Sequence, residues 1–434
     1  MTGRTGIPKT IDELLDIAIN LIGGLGVRAE AHVRQGFRLP LPTLRRHIGR
    51  VLEDLTALRV AGLEDVPGAA ALEEVLGLLR EEVPETFRKA VARIAAITLI
   101  PEGFRAELGE RGVRQAFVAN ALYECEQDLL DDLLDRGGYT FREARRLYNL
   151  CLRPITGASG TERLEEDLIE LMSPGQEGLA RILATLTKEL ANLLLHVPHR
   201  EVLSRLEGSH EALATAQAAT VYLLRDRFDP DRVADIGRTL PAPDPSMAGL
   251  DRVAVFASWP GSLALLDACF TEASIPADRL DAHVRAWRYF DAAVTYLEHF
   301  AGAAHDHSDG IVNVAMLVAY GGEAPGTARF SSRGREAVFA KASESLMEAV
   351  RVAERVGDAG SYYRFMSLMI PVTVFGLART EDDDVDAFFE IVGGERSQSS
   401  GYHSATYSQN PSPLRTHRVF TTLPVNPRNR RTPS

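Results

Sequence analysis

A run of closely spaced carboxylates is the segment of this sequence best suited to chemistry. Glu124, Asp128, Asp131 and Asp135 recur at intervals of four, three and four residues, which places them on one face of an α-helix. Two aspartates one helical turn apart can bind Mg²⁺ together with water and the phosphate oxygens of a substrate. The spacing therefore predicts a site for a metal ion and a diphosphate.

Two other interpretations of this segment stay open. The carboxylates could form the solvated face of an amphipathic helix, or they could belong to an ion-pair network within the fold. Against a solvated face, aspartate is a poorer helix former than glutamate. In addition, only Asp132 has a basic residue, Arg136, four positions later. Like charges stacked without such partners destabilise a helix, whereas a bound cation would stabilise it.

A second polar segment runs from Glu298 to Asn313. If it is helical, Glu298, His305, Asp309 and Asn313 share one face approximately, with Asp306 beside them. Its carboxylates and amide have the oxygen atoms that magnesium prefers. We predict that Asp306, Asp309 and Asn313 complete the metal site.

This second segment also has alternatives. It could be the polar end of a helix, with Gly310 as the C′ residue. His305 and Asp306 could instead be the paired metal ligands of an HD-type metal-dependent phosphohydrolase. The upstream histidines that would complete such a site are His196, His199 and His299, and their spacing does not fit that pattern.

Together the two segments resemble the motifs of the large-terpene synthases, the tetraprenyl-β-curcumene synthase family. The first family motif is an Asp-Tyr-Leu-Asp-Asn-Leu-Cys-Asp-Arg run, matched here by Asp128, Leu130, Asp131, Leu133, Asp135 and Arg136. The second motif is matched by Asp306, Gly310, Asn313 and Tyr320. Three positions depart from the second motif: Gly302, His307 and Ile311.

The resemblance implies an all-helical class I terpene synthase, a magnesium-dependent lyase of isoprenoid biosynthesis. Such an enzyme ionises a prenyl diphosphate and releases diphosphate. The implied metal ligands are Asp128, Asp131, Asp135, Asp306, Asp309 and Asn313. Asp131, Asp135 and Arg136 would be catalytic, and the implied substrate-binding residues are Arg146, Arg153, Tyr320, Tyr363 and Arg364. Aromatic residues of the late helices, Trp287 and Phe290 among them, would line an apolar cavity that keeps water from a carbocation.

Helical periodicity extends over almost the whole chain, and alternating strand patterns are hard to find. The predicted helices cover residues 42–57, 69–82, 84–99, 113–134, 140–151, 160–172, 178–196, 210–225, 260–273, 276–303, 310–320, 334–356 and 361–377, after a first one that begins at a capping box of Thr10 and Glu13. We predict one all-α domain over residues 1–392, a helical bundle resembling the class I isoprenoid synthase fold. Four prolines between residues 226 and 251 predict a long inserted loop there.

Composition limits the protein class. A formal net charge of −12 argues against a general nucleic-acid-binding protein, which needs a basic surface. The first ten residues lack the apolar core of a secretion signal, and no apolar run reaches the roughly 18 residues of a transmembrane helix. Three well-separated cysteines fit reduced thiols in a core. We expect a cytoplasmic protein, and an apolar product would bring it to a membrane only peripherally.

The C-terminal residues 393–434 differ from the rest of the chain. They are rich in Ser, Thr, Asn, Pro and Arg and lack apolar periodicity, which predicts a disordered basic tail. A helical scaffold protein whose basic tail binds a partner is therefore the non-enzymatic alternative.

Overall fold

The computed structural model describes residues 63–136, 138–327 and 329–354, together with 362, 363, 366, 367, 369–371 and 374. Helices contain 76% of these residues, and no strand occurs among them. An isolated antiparallel bridge joins Leu224 and Ile311. The predicted all-α class is confirmed. The helices predicted around residues 10–22 and 42–57 and the tail at 393–434 lie outside the described residues.

Thirteen α-helices can be delimited in the described part of the chain. In chain order they are α1 (Ala69–Glu82), α2 (Pro84–Ile97), α3 (Arg105–Arg136), α4 (Phe141–Ile155), α5 (Leu164–Leu171), α6 (Glu177–Leu194), α7 (Arg200–Ala219), α8 (Pro230–Thr239), α9 (Gly249–Phe256), α10 (Pro260–Cys269), α11 (Ala277–Asp309), α12 (Val314–Ala319) and α13 (Ser332–Glu354). Two 3₁₀ segments, Ile100–Phe104 and Thr220–Leu223, connect neighbouring helices.

The prediction of a long loop at residues 226–251 is wrong, because this segment contains α8 and the start of α9. The side chain of Asp229 accepts a hydrogen bond from the Arg232 N–H at 2.9 Å, and Pro230 occupies the first turn of α8. An N-cap aspartate followed by proline favours helix initiation. Proline here begins a helix.

The two longest helices, α3 and α11, carry the two acidic segments. Helix α3 packs against α2, α6 and α10, while α11 packs against α9, α10, α12 and α13. Helix α11 continues past the predicted end at residue 303, because Gly302 lies within the helix and the left-handed residue that ends it is Gly310, with φ of 83°. This extension places His305, Asp306 and Asp309 on α11.

The three cysteines, Cys125, Cys151 and Cys269, are buried and unpaired, which agrees with their predicted place in the core. Among the described residues, no helix combines the length and the apolar character that crossing a membrane would require.

Candidate functional site

The acidic stripe on α3 runs from the interior of the protein to its surface. Glu124 and Asp128 are 2% and 0% exposed, the side chain of Asp131 is 24% exposed, and Asp135 lies at the surface. The interpretation of the stripe as a solvated face is therefore wrong for its first half.

Lys89 of α2 provides positive charge to the outer half of the stripe. Its Nζ lies 2.8 Å from Oδ2 of Asp131 and 3.5 Å from one oxygen each of Asp128 and Asp132. The Thr86 hydroxyl, one turn earlier on α2, donates a hydrogen bond to Asp132. The stripe thus has basic partners, which come from another helix.

Arg93, one turn after Lys89, connects three helices. Its Nη1 lies 3.0 Å from Oδ1 of Asp128 and 3.7 Å from Oε1 of Glu124 on α3, and its other Nη is ion-paired with Glu298 on α11. The guanidinium lies over the Trp259 ring, 4.9 Å from its centre. Trp259 Nε1 in turn donates a hydrogen bond of 2.7 Å to Glu124.

The charge states in this cluster follow from burial and from the two cations. Burial and the charge of Asp128 raise the pKa of Glu124 to about 8, and burial raises the pKa of Asp128 to about 6. Burial acts on Asp131 in the same direction, but Lys89 and Arg93 lower its pKa below the ordinary value. Asp131 is therefore ionised at neutral pH, whereas Glu124 is mostly protonated. Neither oxygen of the buried Asp128 accepts a hydrogen bond, so its charge is balanced by ion pairs alone.

The second segment is the end of α11 and the start of α12, as the helix-end interpretation predicted. The Gly310 N–H donates to the carbonyls of Asp306 and His307. Asn313 caps α12, since its Oδ1 accepts the Met316 N–H at 3.0 Å. Its Nδ2 donates to Oδ2 of Asp306 at 2.6 Å and to the His299 carbonyl at 2.7 Å. Asn313 thus orients Asp306.

A cation from α2 joins the two acidic segments. Arg93 contacts Asp128 on α3 through one terminal nitrogen and Glu298 on α11 through the other. Burial raises the pKa of Asp306, and the negative charge of Asp131 raises it further. Burial also raises the pKa of Asp135, to which the charges of Asp131 and Asp306 contribute.

One predicted ligand, Asp309, and two predicted substrate-binding residues, Arg146 and Arg153, are exposed to solvent. The side chain of Asp309 is 54% exposed and pairs with His305, itself 80% exposed, at 3.8 Å. Arg146 and Arg153 lie on the exposed face of α4. In their place, the structure has Lys89 and Arg93 among the carboxylates.

The remaining predicted substrate-binding residues have other surroundings. The Tyr320 hydroxyl donates to the carbonyls of Thr327 and Arg329, at 2.9 and 2.8 Å, and so fixes the loop after α12. Tyr363 is buried and hydrogen-bonded to His283. The side chains of Arg136 and Arg364 lie outside the described residues.

The aromatic residues of α11 form a packed core cluster in the described structure. The Trp287 and Phe290 rings lie 5.3 Å apart between centres, and Phe290 stacks on Tyr363 at 6.2 Å. Both α11 side chains are almost fully buried. Their contacts are with one another, which is ordinary core packing.

Within the described part of the chain, no group of three or more His, Cys, Asp or Glu residues is arranged to hold a metal ion on its own. Magnesium bound with a diphosphate needs fewer protein ligands, because it keeps waters and takes phosphate oxygens as ligands. Asp131 and Asp135, one turn apart on α3, offer two carboxylates for such a site. Carboxylate oxygens are ligands that magnesium prefers.

Comparison of the chain with protein-family models, curated proteins and solved structures gave no match. The resemblance to the large-terpene synthases therefore depends on the motif residues alone.

Proposed function

We propose that this protein is a magnesium-dependent class I terpene synthase, which ionises a prenyl diphosphate and releases diphosphate. The observation that carries the proposal is a geometric one: Arg93 of α2 contacts Asp128 in the first acidic segment and Glu298 in the second. An all-helical fold with carboxylates on two separate helices supports this class of enzyme.

Lys89 and Arg93 are suited to binding the diphosphate. The neighbouring carboxylates raise the pKa of each above its ordinary value, although burial acts in the opposite direction. Both side chains therefore remain positively charged at every physiological pH. A guanidinium can bind phosphate oxygens through two parallel hydrogen bonds, and an ammonium binds them as a point charge.

Magnesium, when bound, would neutralise the negative charge that develops on the leaving diphosphate. Asp131 and Asp135 would hold the metal ion, and Asp306 would approach it from α11. Asn313 orients Asp306 by a hydrogen bond of 2.6 Å, so its proposed role is to position a ligand. Asp128 is fully buried, and we assign it to holding Arg93.

A second candidate function, a non-catalytic helical scaffold, is favoured by the ion pairs themselves. Lys89 and Arg93 balance much of the acidic charge without any ligand, and Arg93 links α2, α3 and α11. Such a network could serve stability alone. The HD-type phosphohydrolase has no comparable support, because His305 points to solvent.

One assay separates enzyme from scaffold. The purified protein is incubated with magnesium and prenyl diphosphates of increasing chain length, and the released pyrophosphate is measured. We expect release that requires magnesium and is abolished in Asp131→Asn. The exposed Asp309→Asn serves as the matched control and should retain activity. A folded protein that releases no pyrophosphate from any of these substrates would contradict the enzymatic proposal and favour the scaffold.

A further inference from the structure

We propose that the neighbouring exposed faces of α4 and α5 bind a second copy of this chain in a two-fold symmetric pair. The arginines of α4 in one copy face the carboxylates of α5 in the other, and symmetry forms the reverse contact at the same time. The inference concerns an interaction surface and does not depend on the proposed function.

The exposed face of α4 is basic. It has four arginines, all of them exposed: Arg142, Arg145, Arg146 and Arg153. Spacings of four and seven residues place three of them along one line of the helix, which is about 16 Å long at 1.5 Å per residue. None of the four has an ion-pair partner in the described part of the chain. The carboxylate of this helix, Glu143, is engaged in a capping box with Thr140, so the positive charge of the face is not balanced within α4.

The neighbouring helix α5, which packs against α4, is acidic. Its eight residues contain no basic side chain and four carboxylates: Glu165, Glu166, Asp167 and Glu170. Arg163 and Arg181 pair with two of these carboxylates, at 3.1 and 3.5 Å. Both pairs are exposed to solvent, where an ion pair contributes little to stability. They can therefore be exchanged for contacts with a partner.

An exposed apolar side chain lies within this acidic face. Ile169 of α5 is 41% exposed, and the described residues contain one other large apolar side chain with comparable exposure, Leu195. Protein interfaces combine an apolar centre with a polar rim. Ile169, between Glu166 and Glu170 in the sequence, can supply an apolar contact between charged residues.

The side-by-side arrangement of the two faces determines the kind of partner. An anionic membrane or a nucleic acid would attract the arginines, but α5 and the net charge of −12 would repel it. A partner that carries both charges fits both faces. A second copy has this arrangement, because rotation by 180° about an axis in the interface, between α4 and α5, places each basic face on an acidic one.

The test is analytical ultracentrifugation of the full-length protein at low ionic strength. The wild type should form a dimer that weakens as salt is added, because salt screens exposed charges. Two variants reverse the charge of one face each: Arg142→Glu/Arg146→Glu/Arg153→Glu on α4 and Glu166→Arg/Glu170→Arg on α5. Each variant alone should dimerise about a hundredfold more weakly, because like charges then face each other.

An equimolar mixture of the two variants provides the decisive measurement. Both faces are acidic in one variant and basic in the other, so both contacts of a mixed pair join opposite charges, and we expect a heterodimer. Glu73→Arg/Glu74→Arg, at exposed positions of α1, changes the charge as much as the α5 variant does and should dimerise as the wild type. Circular dichroism checks that each variant is folded.

Two results would overturn the inference. One is a wild type that stays monomeric at low ionic strength over the whole range of protein concentrations, which needs no variant. The other is a mixture of the two folded variants that contains no heterodimer. A monomeric wild type that instead sediments with anionic lipid vesicles, and loses this binding in the α4 variant, would assign the basic face to a membrane surface.

Discussion

The Nζ atom of Lys89 lies 2.8 Å from Oδ2 of Asp131, and this contact ties α2 to the acidic stripe of α3. Without partners, stacked carboxylates on one helix face would repel one another. Cations from α2 make the stripe compatible with burial. The same cations make the cluster a candidate site for an anionic ligand, so stability and function have to be separated by experiment.

Arg93→Met should destabilise the protein strongly. It leaves the buried Asp128 without its closest cation and frees Glu298 on α11. Removing one partner of a buried ion pair costs about 3–5 kcal/mol, and we expect the lower end because the Arg93 side chain is 18% exposed. Urea denaturation at neutral pH measures the loss.

The matched control for this change is Arg88→Met on the same helix. The Arg88 side chain is 74% exposed and lies 3.9 Å from the equally exposed Glu85, so its loss should change stability by no more than about 0.5 kcal/mol. Similar losses for both variants would show that the Arg93 contacts contribute nothing specific.

Glu126→Gln should flatten the pH dependence of stability. Glu126 is fully buried, accepts a 2.6 Å hydrogen bond from the Thr187 hydroxyl, and has its pKa raised by burial to about 8. The folded state therefore holds a proton that the unfolded state releases above a pH of about 4.3. Glu126 therefore lowers the free energy of unfolding as the pH rises from about 4.3 to about 8, by at most ~1.4 kcal/mol per pH unit.

Glutamine keeps the acceptor for Thr187 and cannot ionise, so the contribution of residue 126 to that fall should disappear. Urea denaturation at intervals between pH 5 and pH 9 measures the slope. Glu81→Gln, at an exposed position, should leave the slope unchanged. An unchanged slope in Glu126→Gln would mean that Glu126 is ionised in the folded protein.

Asn313→Ala should cost about 1 kcal/mol through loss of the cap on α12. Asn313→Ser keeps an oxygen for the Met316 N–H but loses the donor to Asp306. We expect the serine variant to be more stable than the alanine variant in thermal denaturation. If Asp306 needs this donor for its position, both variants should show weakened binding of magnesium with pyrophosphate. Equal stability of the two variants would contradict the capping role.

The class of fold and the first acidic segment could be predicted from the sequence, because helical periodicity and the spacing of Glu124, Asp128, Asp131 and Asp135 are local properties. The contacts of Lys89 and Arg93 with the stripe were not predicted, because they are tertiary contacts between two helices. Lys89 and Asp131, for example, are 42 positions apart in the sequence. A signal was present nonetheless. Lys89 is one of only four lysines, and together with Arg93 it lies on one face of α2.

The second segment could be predicted only in part, for a geometric reason. Asp309 shares its face of α11 with His305, and that face is exposed to solvent. Asp306, three positions earlier, is turned towards Asn313, which donates a hydrogen bond to its carboxylate. The rotation of a helix about its own axis depends on packing, which spacing alone does not specify.

Asp131→Asn distinguishes the three interpretations of the acidic stripe, which are a metal–diphosphate site, a solvated helix face and a structural ion-pair network. Lys89 loses its nearest partner, so the variant should be less stable by about 1 kcal/mol, the usual net contribution of one such bond. This differs from the slight gain that relief of repulsion alone would produce. The loss should remain small, because Asp128 and Asp132 still lie near the ammonium.

The most direct test of the central claim is a set of thermal melts of the wild type and Asp131→Asn, each alone and with magnesium plus pyrophosphate. A ligand that binds the folded state raises the melting temperature. We predict a rise for the wild type with both ligands present, and little or none for Asp131→Asn under the same conditions. An equal rise for both proteins would place the metal–diphosphate site elsewhere, and the absence of a rise in the wild type would contradict the proposed function.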